Sequence, residues 1–286
     1  MNKNKKQKLV FVISQQGDSG KTYIATNIID QLRQQGIETA GYLLDIKADA
    51  LIKKLGQRDE DGVILTKQNP LNGISVIDVA NQKGGNHDYK SKEKEKLFKA
   101  FEDDVEVSVF DFPGQGDTSF KQHFLAGELE TVLETADKEI VVIIPVANAK
   151  SLDSIGFLKQ SFTFTGQYDY LNEDVKFIIA HNPTSAETDL SYEKYLTTKE
   201  HNDLLSLDDR YQHISILNIN KNVLNLITDK PFSYYLDLDN RAKLFADRIP
   251  SWVEDGTISK SEFLIQLRRI LTNETGFHQI VKNYII

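Results

Sequence analysis

The segment Ser14-Gln15-Gln16-Gly17-Asp18-Ser19-Gly20-Lys21-Thr22 has the residue types and spacing that bind a phosphate chain. That chemistry needs backbone N–H groups of a tight loop and of a helix N-terminus converging on phosphate oxygens. Gly20 lets the backbone approach an anion closely. Lys21 supplies an ammonium to β- and γ-phosphates, and Thr22 offers a hydroxyl to Mg²⁺. The general pattern is G-x-x-x-x-G-K-[ST]. Gly20, Lys21 and Thr22 match it, while Gln15 replaces the first glycine. Alone, the tripeptide would be a chance helix start; its place between an apolar run and an amphipathic helical pattern marks it as a site.

Such a loop works only if a buried strand delivers it and a helix receives it. Short apolar runs at 9–14, 39–45, 74–79, 105–111, 139–145, 175–181 and 213–217 read as strands. Several are continuous rather than alternating, as expected for strands covered on both faces. Helical patterns lie between them at 21–34, 92–101, 117–134, 152–162 and 192–204. This alternation predicts an α/β three-layer sandwich with a mostly parallel sheet, and the loop motif after its first strand makes the P-loop NTPase fold the expectation. No repeat or linker divides the chain, so one domain is expected over 1–286. It has a basic N-terminal tail (1–8), irregular structure at 56–73 and a helical C-terminal part (237–286).

Composition narrows the class. The chain has 286 residues, 40% of them hydrophobic and 27% charged, which suits a globular protein with a substantial core. The absence of cysteine excludes disulfides, thiolate-ligated metals and a thiol nucleophile. No apolar run approaches a membrane span and the N-terminus lacks a signal-peptide pattern, so a cytoplasmic location is expected. A net charge of −8 argues against nucleic acid binding over the whole surface. Lys90, Lys92, Lys94, Lys96 and Lys99, interleaved with Glu93 and Glu95, read as a solvated helix face.

The loop resembles that of the ParA/MinD family, K-G-G-x-G-K-[ST], a deviant Walker A. Aligned on Gly20-Lys21-Thr22, Gly17 matches a family glycine, Asp18 stands at the second glycine, and Gln16 stands at the signature lysine that reaches the partner's nucleotide. Ser14–Thr22 looks closer to the divergent plasmid branch represented by StbB and TraL. The resemblance implies that Gln16, Gly17, Asp18, Ser19, Gly20, Lys21, Thr22 and Tyr23 contact the nucleotide. The run Val107-Ser108-Val109-Phe110-Asp111-Phe112-Pro113-Gly114 resembles the family's Walker B and following switch. It implies that Asp111 holds Mg²⁺ with Thr22, and that Gly114 meets the nucleotide. Asp111 through Gln115 also reads D-x-x-G-Q, as in Ras-like GTPases, where the Gln orients the attacking water; Gln115 is either that or an exposed turn residue.

In the family's L-L-x-D-x-D-P, Asp45 matches the first carboxylate, near the metal, and Lys47 replaces the second. A protonated lysine can neither activate water nor serve the metal, which leaves Asp49 or Gln115 as substitutes, or slow hydrolysis. Asn182, after the run at 175–181, matches the family's adenine-reading asparagine, and no N-K-x-D for guanine exists. The segment Ala136 to Val146 completes the likeness. The implied cofactors are ATP and Mg²⁺, with Lys21, Asp45 and Gln115 as catalytic residues.

The function implied is plasmid or DNA partition through a homodimer formed around ATP, with a small DNA-binding adaptor or relaxosome protein as partner and nonspecific DNA as a further one. A conjugation accessory or ATP switch with little hydrolysis, and a small-molecule ligase on the same scaffold, remain open. Two C-terminal helical stripes are present, Phe263, Leu264, Leu267, Ile270 and Leu271, then Phe277, Ile280, Val281, Tyr284 and Ile285. The second lacks the basic face of a membrane-targeting helix, so docking on the protein's own body or a dimer partner is expected over a membrane.

Overall fold

The computed structural model describes residues 6–45, 49–79, 87–114, 127–147, 149–182, 197–198, 210–216, 229–240, 242–243, 259–271 and 276–286. The strands are β1 (Lys8–Val12), β2 (Thr39–Leu43), β3 (Ser75–Val76), β4 (Val107–Asp111), β5 (Glu139–Val146), β6 (Val175–His181) and β7 (Tyr211–Ser215). The helices are α1 (Lys21–Gln34), α2 (Ala50–Leu55), α3 (His87–Glu102), α4 (Glu128–Ala136), α5 (Ala149–Ser161), α6 (Lys260–Leu271) and α7 (Gly276–Ile280). Two 3₁₀ segments, Gly166–Asp174 and Phe232–Leu236, and a π turn, Val281–Ile285, complete the described elements.

The seven strands form one sheet in the order β3-β2-β4-β1-β5-β6-β7, and every pairing is parallel. Parallel sheets are buried on both faces, and this one divides its side chains accordingly. Leu9, Phe11, Ile13, Ile140, Val142, Phe177 and Ile179 face a layer containing α3, α4 and α5, through Phe101, Leu133 and Leu158. Val10, Val12, Val141, Ile143 and Ile178 face the opposite layer, through Ile24, Ile28 and Leu32 of α1, Leu51 of α2 and Phe277 and Ile280 of α7. The result is a three-layer sandwich. Phe11 is the hub of the first layer, with its ring 5.3–5.8 Å from Phe101, Phe110, Phe112 and Phe162.

The second C-terminal stripe closes the α1 layer: Phe277, Ile280, Val281 and Ile285 are fully buried against the sheet. Lys8 at the start of β1 donates to the Tyr284 carbonyl (3.1 Å), pinning this end to the edge of the core.

Several details differ from the sequence expectations. Strand β3 spans two residues rather than 74–79, because Ile77 and Val79 are buried but the chain leaves the ladder after Val76. Helix α2 was not foreseen; six residues are too few to show a period. Helix α3 begins at His87, five residues before the expected start. Its face is not wholly solvated: Glu93 is buried, accepts the Asp78 N–H at 2.8 Å and pairs with Lys96, while Lys94 pairs with Glu128. Of the expected helix at 192–204 only residues 197–198 are described, and that at 117–134 is described only from residue 127.

Candidate functional site: a phosphate loop at the carboxyl edge of the sheet

Strand β1 sits centrally, with β2, β3 and β4 on one side and β5, β6 and β7 on the other. In open parallel sheets, ligands sit beyond the carboxyl ends of the strands where the order changes direction. Three carboxyl ends are level here. Val12 of β1 and Leu43 of β2 both align with Asp111 of β4. Phe112 N–H donates to Val12 O (3.1 Å) and Leu44 N–H to Asp111 O (2.9 Å). The register therefore brings the segment after β1, Asp45 after β2 and Asp111 at the end of β4 to one place.

That place is a cavity of about 420 Å³, lined by Gly17, Asp18, Gly20, Lys21, Thr22, Tyr23, Asp45, Asp111 and Gly114 among others. Helix α1 begins at Lys21 with Gly20 as its N-cap, no side-chain cap and no acidic residue in its first turn. Its first N–H groups are thus not claimed by a capping side chain, the condition for anion binding at a helix N-terminus.

The loop backbone explains its residue types. Asp18 has φ 56° and Gly20 φ 90°. Both lie in the left-handed region, which glycine enters freely and aspartate more readily than most. At Gly20 there is a second reason. A Cβ there would meet Asn182 Nδ2 at 2.1 Å. Asn182 is buried and its Nδ2 donates to the Ser19 carbonyl (3.2 Å), so it lies under the loop. Gly114 approaches from the other side, with Gly17 3.6 Å from where its Cβ would be.

The polar groups are already engaged with one another. Lys21 Nζ donates to the Gln16 carbonyl (2.7 Å), and Ser19 Oγ donates to the same oxygen (3.3 Å). Thr22 Oγ1 donates to Asp111 Oδ2 at 2.7 Å. Asp111 is almost wholly buried, and its other oxygen, Oδ1, has no hydrogen-bond partner. Burial pushes its carboxyl up to about 7; the Thr22 hydrogen bond and Lys21 oppose this, and Asp45 adds to it. An orphaned buried carboxylate oxygen beside a threonine hydroxyl fits a divalent cation, which would favour the ionised form. No group of three or more His, Asp or Glu that could by itself hold a metal ion is present among the described residues. Mg²⁺ here would take Thr22 and Asp111 from the protein and its other oxygens from nucleotide and water.

Of the expected nucleotide-contacting positions, Gly17, Asp18, Gly20, Lys21, Thr22, Tyr23 and Gly114 line this cavity, whereas Gln16, Ser19 and Asn182 are not among its lining residues. Tyr23 borders it, but its ring packs edge-on against Phe232 (5.9 Å) and Phe277 (5.1 Å), so its bulk serves the α1 layer. Asp49 stands at the start of α2, exposed and 2.7 Å from Lys53, and does not line the cavity. Gln115 and Lys47 lie outside the described residues. One contact escaped the sequence reading altogether: the Gln15 N–H donates to Ser154 Oγ of α5 at 2.8 Å. The signal was present, since Ser151 and Ser154 interrupt an apolar stripe that continues through Ile155 and Leu158.

An all-parallel three-layer sandwich with this loop between β1 and α1 is an α/β P-loop NTPase fold. No family model matches the chain, and no curated protein matches its sequence. Solved structures do. The MinD cell division protein of Aquifex aeolicus matches with a TM-score of 0.41 and 14% identity, over 93% of this chain and 96% of its own. A plasmid partition protein from Borrelia burgdorferi matches with a TM-score of 0.41 and 15% identity, over 76% of this chain and 92% of its own. At such identity and TM-score these likenesses say nothing of what the chain does. No helix among the described residues is long and apolar enough to cross a membrane.

Proposed function

We propose that the protein binds Mg-ATP between Gly17–Thr22 and Asp111 and acts as a ParA/MinD-type ATPase in plasmid or DNA partition, in the cytoplasm, as a dimer formed around ATP. The observation that carries nucleotide binding is the Thr22–Asp111 contact with its orphaned Oδ1, next to Lys21 at an uncapped helix start. Lys21 would exchange the Gln16 carbonyl for phosphate oxygens, and the α1 N–H groups would take the remaining phosphate charge. Mg²⁺ would supply electrostatic neutralisation of the phosphates, held by Thr22 and Asp111 with Asp45 close by. The assignment of Asn182 to the adenine side rests on the sequence resemblance alone. The partition role, the DNA-binding adaptor and the dimer rest on the sequence resemblance, because a fold does not fix a function.

A second reading, an ATP switch or conjugation accessory with little hydrolysis, is favoured by two observations. Gln16 brings no cation to a partner's nucleotide, and Asp49 is turned to Lys53 rather than to the cavity.

The deciding measurement is calorimetry of ATP binding to wild type and Lys21→Ala in the presence of Mg²⁺. Lys21→Ala is expected to weaken binding at least about tenfold. Equal affinities would overturn the nucleotide reading.

A further inference from the structure

Gln15 occupies the position where the phosphate-loop pattern has its first glycine, directly after the buried Ser14. At this point the chain has left the sheet. The last ladder-type bond of β1 is from Ile13 N–H to Ile143 O (3.0 Å). A backbone N–H at the edge of a core needs a partner, and the partner here is a side chain 139 positions away. The Gln15 N–H donates to Ser154 Oγ at 2.8 Å, and the Ser14 and Ser154 hydroxyls are 3.3 Å apart.

Ser154 is fully buried on a helix face that otherwise packs as core, with Ile155 and Leu158 as neighbours. One turn earlier, Ser151 is also fully buried and accepts the Ala147 N–H at 2.9 Å, directly after β5. Serines three apart share one face of a helix. Helix α5 therefore grips the backbone at two exits of the sheet, after β5 through Ser151 and after β1 through Ser154. Asn182 holds the far end of the loop through Ser19, while Gly17 has open space around it. The loop is thus tied to the surrounding fold at both ends, and between them Lys21 and Ser19 hold the Gln16 carbonyl.

We propose that Ser154 is a positioning residue for the phosphate loop, its hydroxyl fixing the backbone of Gln15 so that nucleotide affinity depends on this one hydrogen bond. The proposal rests on the loop being the nucleotide site, and it goes beyond that reading by assigning a role to a residue that touches no ligand. Pre-organisation is the physical basis: a loop held in one shape loses less freedom when phosphate binds. Gln15 cannot provide the tight glycine turn, so the restraint comes from outside the loop.

The test uses the full chain and three variants, read by amide hydrogen exchange at Gln15, ATP calorimetry with Mg²⁺ and thermal melting. Ser154→Ala is expected to abolish protection of the Gln15 amide and to raise the ATP Kd roughly threefold to tenfold. Ser154→Thr keeps the hydroxyl and is expected to retain both protection and affinity. Leu158→Ala, on the same helix but away from the loop, is expected to lower the melting temperature more than Ser154→Ala while leaving the ATP Kd unchanged. A protected Gln15 amide in Ser154→Ala would overturn the anchor. Lost protection with unchanged Kd, or an equal loss of affinity in Leu158→Ala, would overturn the positioning role. Should wild type bind no ATP, the nucleotide reading fails and with it the role in affinity, whereas the exchange data still judge the anchor itself.

Discussion

Asp18 sits at φ 56°, where the resembled family has glycine. Left-handed backbone costs an ordinary L-residue about 1–2 kcal/mol and aspartate less, through local hydrogen bonding. Asp18→Val is therefore expected to destabilise the protein by about 1–2 kcal/mol in urea unfolding, while Asp18→Gly should match or exceed wild type. Equal stabilities for the Val and Gly variants would show that the loop does not hold the left-handed shape in solution. At Gly20 the constraint is double, since φ 90° and the Asn182 carboxamide both exclude a side chain. A Gly20→Ala variant should thus be impaired even when Asn182→Ala makes room, because the backbone strain remains.

At the scale of elements, α1 carries the site at one end and structural ties along its length. Tyr23 meets Phe232 and Phe277, and further along Asp30 accepts from both the backbone N–H (3.0 Å) and the hydroxyl of Ser233. The loop-bearing helix is thus held by two segments from the far end of the chain. Phe277→Ala removes a fully buried ring and is expected to cost about 3–5 kcal/mol in urea unfolding. A loss below about 1 kcal/mol would mean that α7 is not seated on α1 in solution.

Asp30 gives a pH signature to the same junction. Burial raises its carboxyl above the ordinary value of 3.8, against the Ser233 hydrogen bonds and the charges of Arg33 and Lys54. A raised folded value means that the native state holds the proton more tightly than the unfolded chain. This group's contribution is therefore fully present below 3.8 and declines as pH rises through the raised value. Asp30→Asn should flatten that part of the stability–pH curve. An unchanged slope above pH 4 would remove the assignment.

At the scale of the molecule, turnover follows from what the site contains and what it lacks. Lys21, Thr22, Asp111 and Asp45 converge on the cavity, but position 16 carries glutamine rather than a cationic side chain and Asp49 is turned away. The ATP-bound state of the isolated protein is expected to be long-lived, with Gln115→Ala lowering the hydrolysis that remains. Single-turnover assays decide this: hydrolysis near a typical enzyme's roughly 10 per second would rule out the switch reading. Sedimentation with ATP and with ADP should show the dimer only with ATP; a monomer in both would remove dimerisation around the nucleotide.

What the sequence determined by itself was local. Periodicity and apolar runs placed α1 at Lys21–Gln34 and β6 at Val175–His181, and the glycine-lysine-threonine start of α1 marked the loop. These features are carried by neighbouring residues, so a linear reading reaches them. The strand expected at 74–79 was drawn too long, since only Ser75 and Val76 join the ladder, and α2 was missed because six residues are too few to show a period. Strand order was beyond such reading: inserting β4 between β1 and β2 is what sets Asp111 against Thr22, 89 positions away. The Gln15–Ser154 and Ser19–Asn182 ties span 139 and 163 positions, and Asp30–Ser233 spans 203. Each is a hydrogen bond whose partners meet only after the sheet has assembled and its helices have packed. The sequence could mark Ser154 as a break in an apolar stripe, but it could not name the partner, because serine, asparagine and aspartate are equally at home on a surface; only the tertiary structure decided what each of them would hold.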